Sequence, residues 1–219
     1  MTTTDREPRL PSAEQYTESL YPQDEQLERV LETIRANGMP EISVKPGYGR
    51  LLTLLVKMSG AKSVLEIGAL GGYSGICLAR GLPADGRLVS LELRDEYAAL
   101  AHANLTAAGF GDKVEYMTGE ALPSLERLGA EGRRFDLFFI DADKGNYPNY
   151  LQWSINLGNP GAIIVGDNTL LHQKVMDTAE QGNNVRQMRE FNRLMAEHPM
   201  LESTMLPAYD GLAIARLRA

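Results

Sequence analysis

Four short segments of this sequence carry side chains that chemistry can use, and each lies at the end of an apolar run. In the first, Val64-Leu65-Glu66-Ile67 leads into Gly68-Ala69-Leu70-Gly71-Gly72 and then Tyr73-Ser74. Glycines in such a turn let the backbone approach a ligand that a side chain would exclude. Glu66, a carboxylate just before the turn, suits a cationic ligand group. The plainer reading is a turn that only packs a helix onto a sheet. The spacing is not the Gly-x-Gly-x-x-Gly of dinucleotide-binding turns, and no Gly-Lys-Ser/Thr is present to hold a triphosphate. In the second segment, Leu88-Val89-Ser90-Leu91 ends in Glu92. An acidic residue at the end of the strand after a glycine turn commonly accepts the two hydroxyls of a ribose. It could instead be a helix N-terminal charge, but Asp95 and Glu96 already fill that role. Together the two segments describe a nucleoside pocket without a phosphate anchor.

The third segment is Phe138-Phe139-Ile140-Asp141-Ala142-Asp143-Lys144, and the fourth is Ile163-Ile164-Val165-Gly166-Asp167-Asn168. Asp141, Asp167 and Asn168 offer only oxygen atoms. Hard divalent cations, magnesium first and manganese or calcium after it, prefer such donors, whereas zinc favours nitrogen or sulfur. Asp-Asn after a strand can equally be a simple turn. Two acidic strand ends converging beside a nucleoside pocket favour the cation. Lys144, three residues after Asp141, is either a surface charge or, beside a bound cation, a base.

These side chains work together only if one scaffold brings the four segments to one edge. The pattern from residue 63 onward supplies it. Apolar runs at 63–67, 88–93, 114–117, 137–140 and 163–165 read as strands, with helical stretches at 73–80, 96–108, 121–128 and 147–157 between them. Short hydrophobic strands alternating with single helices predict an α/β fold with a doubly wound, mostly parallel sheet covered on both faces. A last helix over 185–198 precedes runs at 201–206 and 212–217, joined by a turn at 207–211. That pair reads as an antiparallel hairpin at the sheet edge. Before residue 60 there is no strand. A loose tail over residues 1–10 is followed by two amphipathic stretches, and then by a helix over 46–59 with Leu51, Leu52, Leu54, Leu55 and Met58 as its expected buried face. Residues 11–219 read as one domain with extra N-terminal helices.

With 219 residues, 43% of them hydrophobic, the chain can bury one sizeable core. A net charge of −7 argues against a broad nucleic-acid-binding face. No apolar run has the length of a membrane span, and the N-terminal residues lack the apolar core of a secretory signal, so a cytoplasmic protein is expected. Cys77 is the only cysteine and sits between Ile76 and Leu78, as a core residue would.

The segments LEIGALGGYSG (65–75), FFIDADKGNY (138–147), VGDNTL (165–170) and LPAYDGLAIARL (206–217), in this order, resemble the cation-dependent O-methyltransferases of the class I, Rossmann-like methyltransferase fold. The sequence is similar to the caffeoyl-CoA and catechol O-methyltransferases from about residue 42 onward. The resemblance implies S-adenosylmethionine as methyl donor. Val44, Glu66, Gly68, Ala69, Ser74 and Asp143 would lie against it, with Glu92 on its ribose hydroxyls and Ala121 at its adenine. It implies a divalent cation on Asp141, Asp167 and Asn168, Lys144 as the base, and a small aromatic diol as acceptor. It also implies a homodimer, for which the apolar N-terminal helices are the expected interface.

The sequence departs from many relatives after Asp167-Asn168-Thr169-Leu170, where it continues Leu171-His172-Gln173. This puts the acceptor pocket in question. His172 reads as a solvent-facing loop residue before a substrate contact, and Trp153 as core before an acceptor platform. Competing functions are methylation of a hydroxylated tRNA base, a non-catalytic S-adenosylmethionine-binding module, and a nicotinamide-dependent dehydrogenase. The intact acidic set with Lys144 disfavours the module. The glycine spacing disfavours the dehydrogenase.

Overall fold

The computed structural model of the protein describes residues 12–218. The tail expected over residues 1–10 lies outside the described residues. Three helices come first: α1 (Ala13–Ser19), α2 (Glu25–Ala36) and α3 (Pro46–Ser59). The alternating part then runs β1 (Ser63–Ile67), α4 (Tyr73–Ala79), β2 (Arg87–Glu92), α5 (Asp95–Ala107), β3 (Val114–Thr118), α6 (Ala121–Ala130), β4 (Phe135–Ile140), α7 (Tyr147–Leu157) and β5 (Gly158–Asp167). It closes with α8 (Asn183–Glu197), β6 (Leu201–Leu206) and β7 (Leu212–Leu217). The seven strands form one sheet in the order β3-β2-β1-β4-β5-β7-β6. β1 to β5 are parallel, and β7 runs antiparallel to both β5 and β6. The strand order reverses between β1 and β4, and a crevice opens there at the carboxyl ends.

The expected doubly wound sheet with its C-terminal hairpin is therefore what forms. Strand alternation divides the core in two. Leu65, Ile67, Phe138 and Ile140 face α6, α7 and α8, whereas Val64, Leu137 and Phe139 face α2, α3 and α4. β5 begins at Gly158, directly after α7, and so starts earlier than the apolar run 163–165 indicated. Gly158 pairs with Phe135, and the register shifts between Phe135 and Leu137, so a glycine- and proline-bearing stretch that reads as a turn is held as strand.

The N-terminal helices depart most from expectation. α1 buries no residue; a box of Ser12 and Gln15 caps it instead. On α3 the buried stripe is Tyr48, Gly49, Leu52 and Val56. Of the expected face only Leu52 is fully enclosed, while Leu54 and Met58 are 51% and 81% exposed. Six apolar residues within 51–58 run round the helix, so hydrophobicity alone could not choose the face. Gly49 decides it: a Cβ there would stand 2.9 Å from Cys77 Sγ, so α3 meets α4 at this glycine. Cys77 is buried in that contact, as expected, and burial pushes its thiol up to about 12. Trp153 is partly buried against the core, again as expected. No helix among the described residues is long and apolar enough to cross a membrane.

Candidate active site

A cavity of about 910 Å³ opens at the carboxyl ends of the strands, over the β1–β4 switch. Val44, Gly68, Ala69, Ser74, Glu92, Ala121, Asp141, Asp143, Lys144, Asp167 and Asn168 all line it. Every residue expected to touch donor, cation or proton thus lies on one surface, with a single exception. Glu66 is fully buried behind it.

The donor end is built on two carboxylates. Glu92 Oε2 accepts the backbone N–H groups of Ala69 (3.1 Å) and Leu70 (2.9 Å), and Oε1 accepts that of Arg94 (3.1 Å). This clamps the turn after β1, where Leu70 has a φ of 48°. Glu92 is 8% exposed and faces the cavity, so lone pairs remain for a ligand's hydroxyls. Glu66 receives short hydrogen bonds from Ser74 Oγ and Ser90 Oγ, both 2.5 Å. Ser90 is its register neighbour on β2. Ser74 lines the cavity, so Glu66 acts on the cavity through Ser74. Burial, with a smaller contribution from the charges of Glu92 and Asp141, pushes the Glu66 carboxyl up to about 7 against the opposing pull of the two serines.

The two ends meet at Gly68. Its φ is 100°, and a Cβ there would fall 2.2 Å from the carbonyl oxygen of Asp141. Asp141 follows β4, and its N–H donates to Ile67 O at 2.9 Å. Asp141 Oδ1 accepts from Lys144 Nζ at 2.9 Å, and the same ammonium donates to Tyr147 Oη at 2.7 Å. Tyr147 lies wholly in the core and its own hydroxyl reaches the carbonyl of Asp167 at 3.1 Å. Burial raises its phenol well above the ordinary value, so it stays a neutral donor. Asp143 faces the cavity one step on and accepts from Tyr150 Oη and from Asn146 Nδ2.

Asp167 is 4% exposed. One oxygen accepts the N–H of Asn168 at 2.8 Å. Burial and the neighbouring Asp141 charge raise its carboxyl above the usual range. Asn168 has a φ of 58°, a left-handed conformation that Asn tolerates better than most residues. Among the described residues no three His, Cys, Asp or Glu side chains form a metal-type group. The corner instead holds two carboxylates and one amide. It is an all-oxygen set of two partly desolvated carboxylates with one ammonium, bonded to Asp141, and such a set fits a hard divalent cation.

Sequence reading did not single out Tyr147, Tyr150, Tyr48, Tyr209 or Asp210. Lys144 and Tyr147 stand three residues apart at the start of a helix, and that spacing was the available signal. Tyr48 donates to Ala208 O at 2.5 Å, and no local pattern marks so distant a partner. His172 reaches the cavity rim but its side chain is 84% exposed, as expected of a loop histidine.

Residues 16–218 match the O-methyltransferase family. The chain belongs to that family. It is 40% identical over 199 residues to a catechol O-methyltransferase of Niastella koreensis, covering 88% of this chain and 90% of that protein. It is 35% identical over 207 residues to caffeoyl-CoA O-methyltransferase 1 of Eucalyptus globulus, covering 90% and 84%. Among solved structures, an O-methyltransferase from Bacillus cereus in complex with SAH superposes with a TM-score of 0.87 at 41% identity, over 93% of this chain and 96% of that one. The protein is thus an O-methyltransferase of class I fold, and the dehydrogenase and non-catalytic readings are set aside.

The buried Glu66 has a consequence for stability. A carboxyl raised to about 7 in the fold stays protonated where the unfolded chain has already ionised. Stability is therefore full below the unfolded value, declines as pH climbs through the window between about 4.5 and about 7, and levels off above it. Glu66→Gln is neutral throughout and lacks this decline. Between pH 5 and pH 8 the variant should gain on the native chain by on the order of 2 kcal/mol in urea denaturation. An equal difference at both pH values would show that Glu66 titrates normally.

Proposed function

We propose that this O-methyltransferase moves the methyl group of S-adenosylmethionine to one hydroxyl of a small, catechol-like vicinal diol, with a divalent cation at Asp141, Asp167 and Asn168. One observation carries the reading: the acidic corner with Lys144 opens into the same cavity as the glycine turn and Glu92. The names of the similar proteins point the same way for the diol. The SAH in the Bacillus cereus structure supports the donor, since SAH is its demethylated form.

In this reading Glu92 takes the ribose hydroxyls, and Gly68, Ala69 and Ser74 bear on the rest of the donor, with Ser74 held by Glu66. Val44 and Asp143 flank it and Ala121 meets the adenine. Asp141, Asp167 and Asn168 hold the cation, magnesium before manganese or calcium by the hardness of the donors. When bound, the cation supplies positive charge that favours the ionised form of a diol with two adjacent oxygens. Lys144, acting as the neutral amine, takes the hydroxyl proton and becomes the ammonium. The oxygen then forms its bond to the methyl carbon as the carbon–sulfur bond breaks, and the sulfonium leaves as a neutral thioether. Rate comes from alignment of oxygen, carbon and sulfur and from fixed charge around them.

The deciding assay incubates the purified protein with S-adenosylmethionine, magnesium and a catechol, its mono-phenol analogue or an RNA pool, with and without chelator. The catechol alone should be methylated, and chelator should stop the reaction. Equal methylation of the mono-phenol would overturn the use of both oxygens. Full turnover in excess chelator would overturn the cation, and methylation of RNA alone would overturn the small acceptor.

Lys144→Met should lower turnover by roughly a hundred- to ten-thousand-fold, the usual range for loss of a general base. SAH affinity measured by calorimetry should hardly change. A variant within a few-fold of native turnover would remove Lys144 from the proton path.

A cytoplasmic homodimer completes the proposal. Tyr16, Leu20 and Tyr21 in and after α1, and Leu54 and Met58 on α3, expose large apolar surfaces that a second copy would cover. Light scattering at micromolar concentration should report about twice the chain mass. A monomer mass there would refute it.

A further inference from the structure

The loop between β5 and α8, residues 168–182, closes the acidic end of the cavity. Asn168, Leu171 and His172 line it. The backbone of this loop is strained: Leu171, His172 and Gln173 are successive left-handed residues, with φ of 47°, 52° and 65°. Non-glycine residues persist in this region only where the surroundings over-determine them. Something must therefore hold the loop in place.

Two sets of contacts do so. From the side of the β6–β7 turn, Asp210 Oδ1 accepts the N–H of His172 at 2.6 Å, and Asp210 O accepts that of Leu170 at 2.9 Å. From behind comes Arg189 of α8. Its Nε donates to Val175 O (2.9 Å), Nη1 to Glu180 O (2.8 Å), and Nη2 to both Asp177 O (2.5 Å) and Lys174 O (3.2 Å). Asn192, one turn further along α8, donates to Thr169 O at 2.8 Å. Four carbonyls thus converge on one guanidinium, whose planar fork of five N–H donors can serve them together. Among the ion pairs of the described residues, none involves Arg189. At its start the loop is also held by buried Thr169, whose N–H donates to Gly211 O at 3.3 Å. From Lys174 onward its other contacts are local: the turn Lys174–Met176, the N–H of Glu180 on Asp177 O (3.1 Å) and of Ala179 on Asp177 Oδ1 (2.9 Å), and the partly buried side chain of Val175. A cation engaged with carbonyls rather than carboxylates here organises backbone.

We propose that Arg189 is a positioning residue that sets acceptor specificity. By gathering the carbonyls of residues 174–180, its guanidinium fixes the path of residues 168–173. That path sets the wall which Leu171 and His172 present to the acceptor, although Arg189 does not itself line the cavity. The specificity half rests on the proposed catechol-like acceptor. The anchoring half does not.

Arg189→Leu removes the donors, and Arg189→Lys keeps the charge but loses the fork. Limited trypsin digestion of the native-length variants reads the anchoring, because Lys174 lies inside the loop. Cleavage after Lys174 should quicken at least tenfold in both variants while calorimetric SAH affinity stays within twofold. With a catechol carrying one ring substituent, acceptor KM should rise about tenfold or more. The ratio of the two mono-methylated products should also shift, a readout that general destabilisation does not move. Unchanged cleavage at Lys174 overturns the anchoring. Faster cleavage with unchanged KM and product ratio overturns the specificity role. If the native protein methylates no catechol at all, the acceptor reading fails and the specificity role fails with it, while the digestion still decides the anchoring.

Discussion

The site depends on one close approach. Gly68, at the end of β1, lies so near the end of β4 that a single carbon on its Cα would overlap the carbonyl of Asp141. The parallel register of the two strands, Ile67 opposite Ile140, makes the approach unavoidable. Because the strand order reverses here, the turn after β1 and the turn after β4 diverge to opposite faces of the sheet and leave a crevice between them. The donor turn and the acidic corner therefore share one backbone junction. An alanine at 68 would separate them or displace Asp141, and in either case the methyl group and its acceptor would lose their alignment.

Four carboxylates crowd this junction, and each is satisfied differently. Glu92 accepts three backbone N–H groups, so its charge also shapes the turn beside it. Glu66 is enclosed with two serine hydroxyls, and burial favours its neutral form. Asp141 has the ammonium of Lys144. Asp167 has one N–H from its neighbour and the repulsion of Asp141. The deficit of positive charge is thus local and falls at the strand ends of β4 and β5. A fold selected for stability alone would have placed apolar side chains there, since one ammonium between two partly buried carboxylates does not repay their desolvation.

What could be read from the sequence followed strand alternation. The ends of β1, β2, β4 and β5 were legible because apolar runs stop abruptly at Glu66-Ile67-Gly68, Glu92, Asp141 and Asp167. Their side chains then had to emerge at one edge. The start of β5 was not legible, since Gly158, Asn159, Pro160 and Gly161 spell a turn, and only pairing with Phe135 makes a strand of it. The face of α3 was not legible because its apolar residues surround the helix, and the choice was made by Gly49 meeting Cys77. The sequence marks Glu66 as a ligand-facing carboxylate, but the structure buries it behind the cavity, where it holds Ser74, and that placement depends on the packing of Ser90 and Gly75 around it. Tyr48, Tyr209 and Arg189 act through partners far along the chain or through loop carbonyls. Periodicity carries no trace of such contacts.

The two ends of the cavity are also built on different kinds of structure. The donor end is formed by strand ends, a glycine turn and buried carboxylates, and any change there propagates into the sheet. The other end, where the proposal places the acceptor, is formed by the loop at 168–173 and the turn at 207–211, joined by Asp210 and supported from behind by α8 and α1. Glu18 of α1 links Tyr209 and Arg50, so even the short first helix, which buries nothing of its own, has a role at this rim. Such a rim can change shape without disturbing the junction at Gly68. Under the proposed function, acceptor choice can vary at this rim on a fixed donor frame, and the similar proteins named as catechol and as caffeoyl-CoA enzymes accord with that.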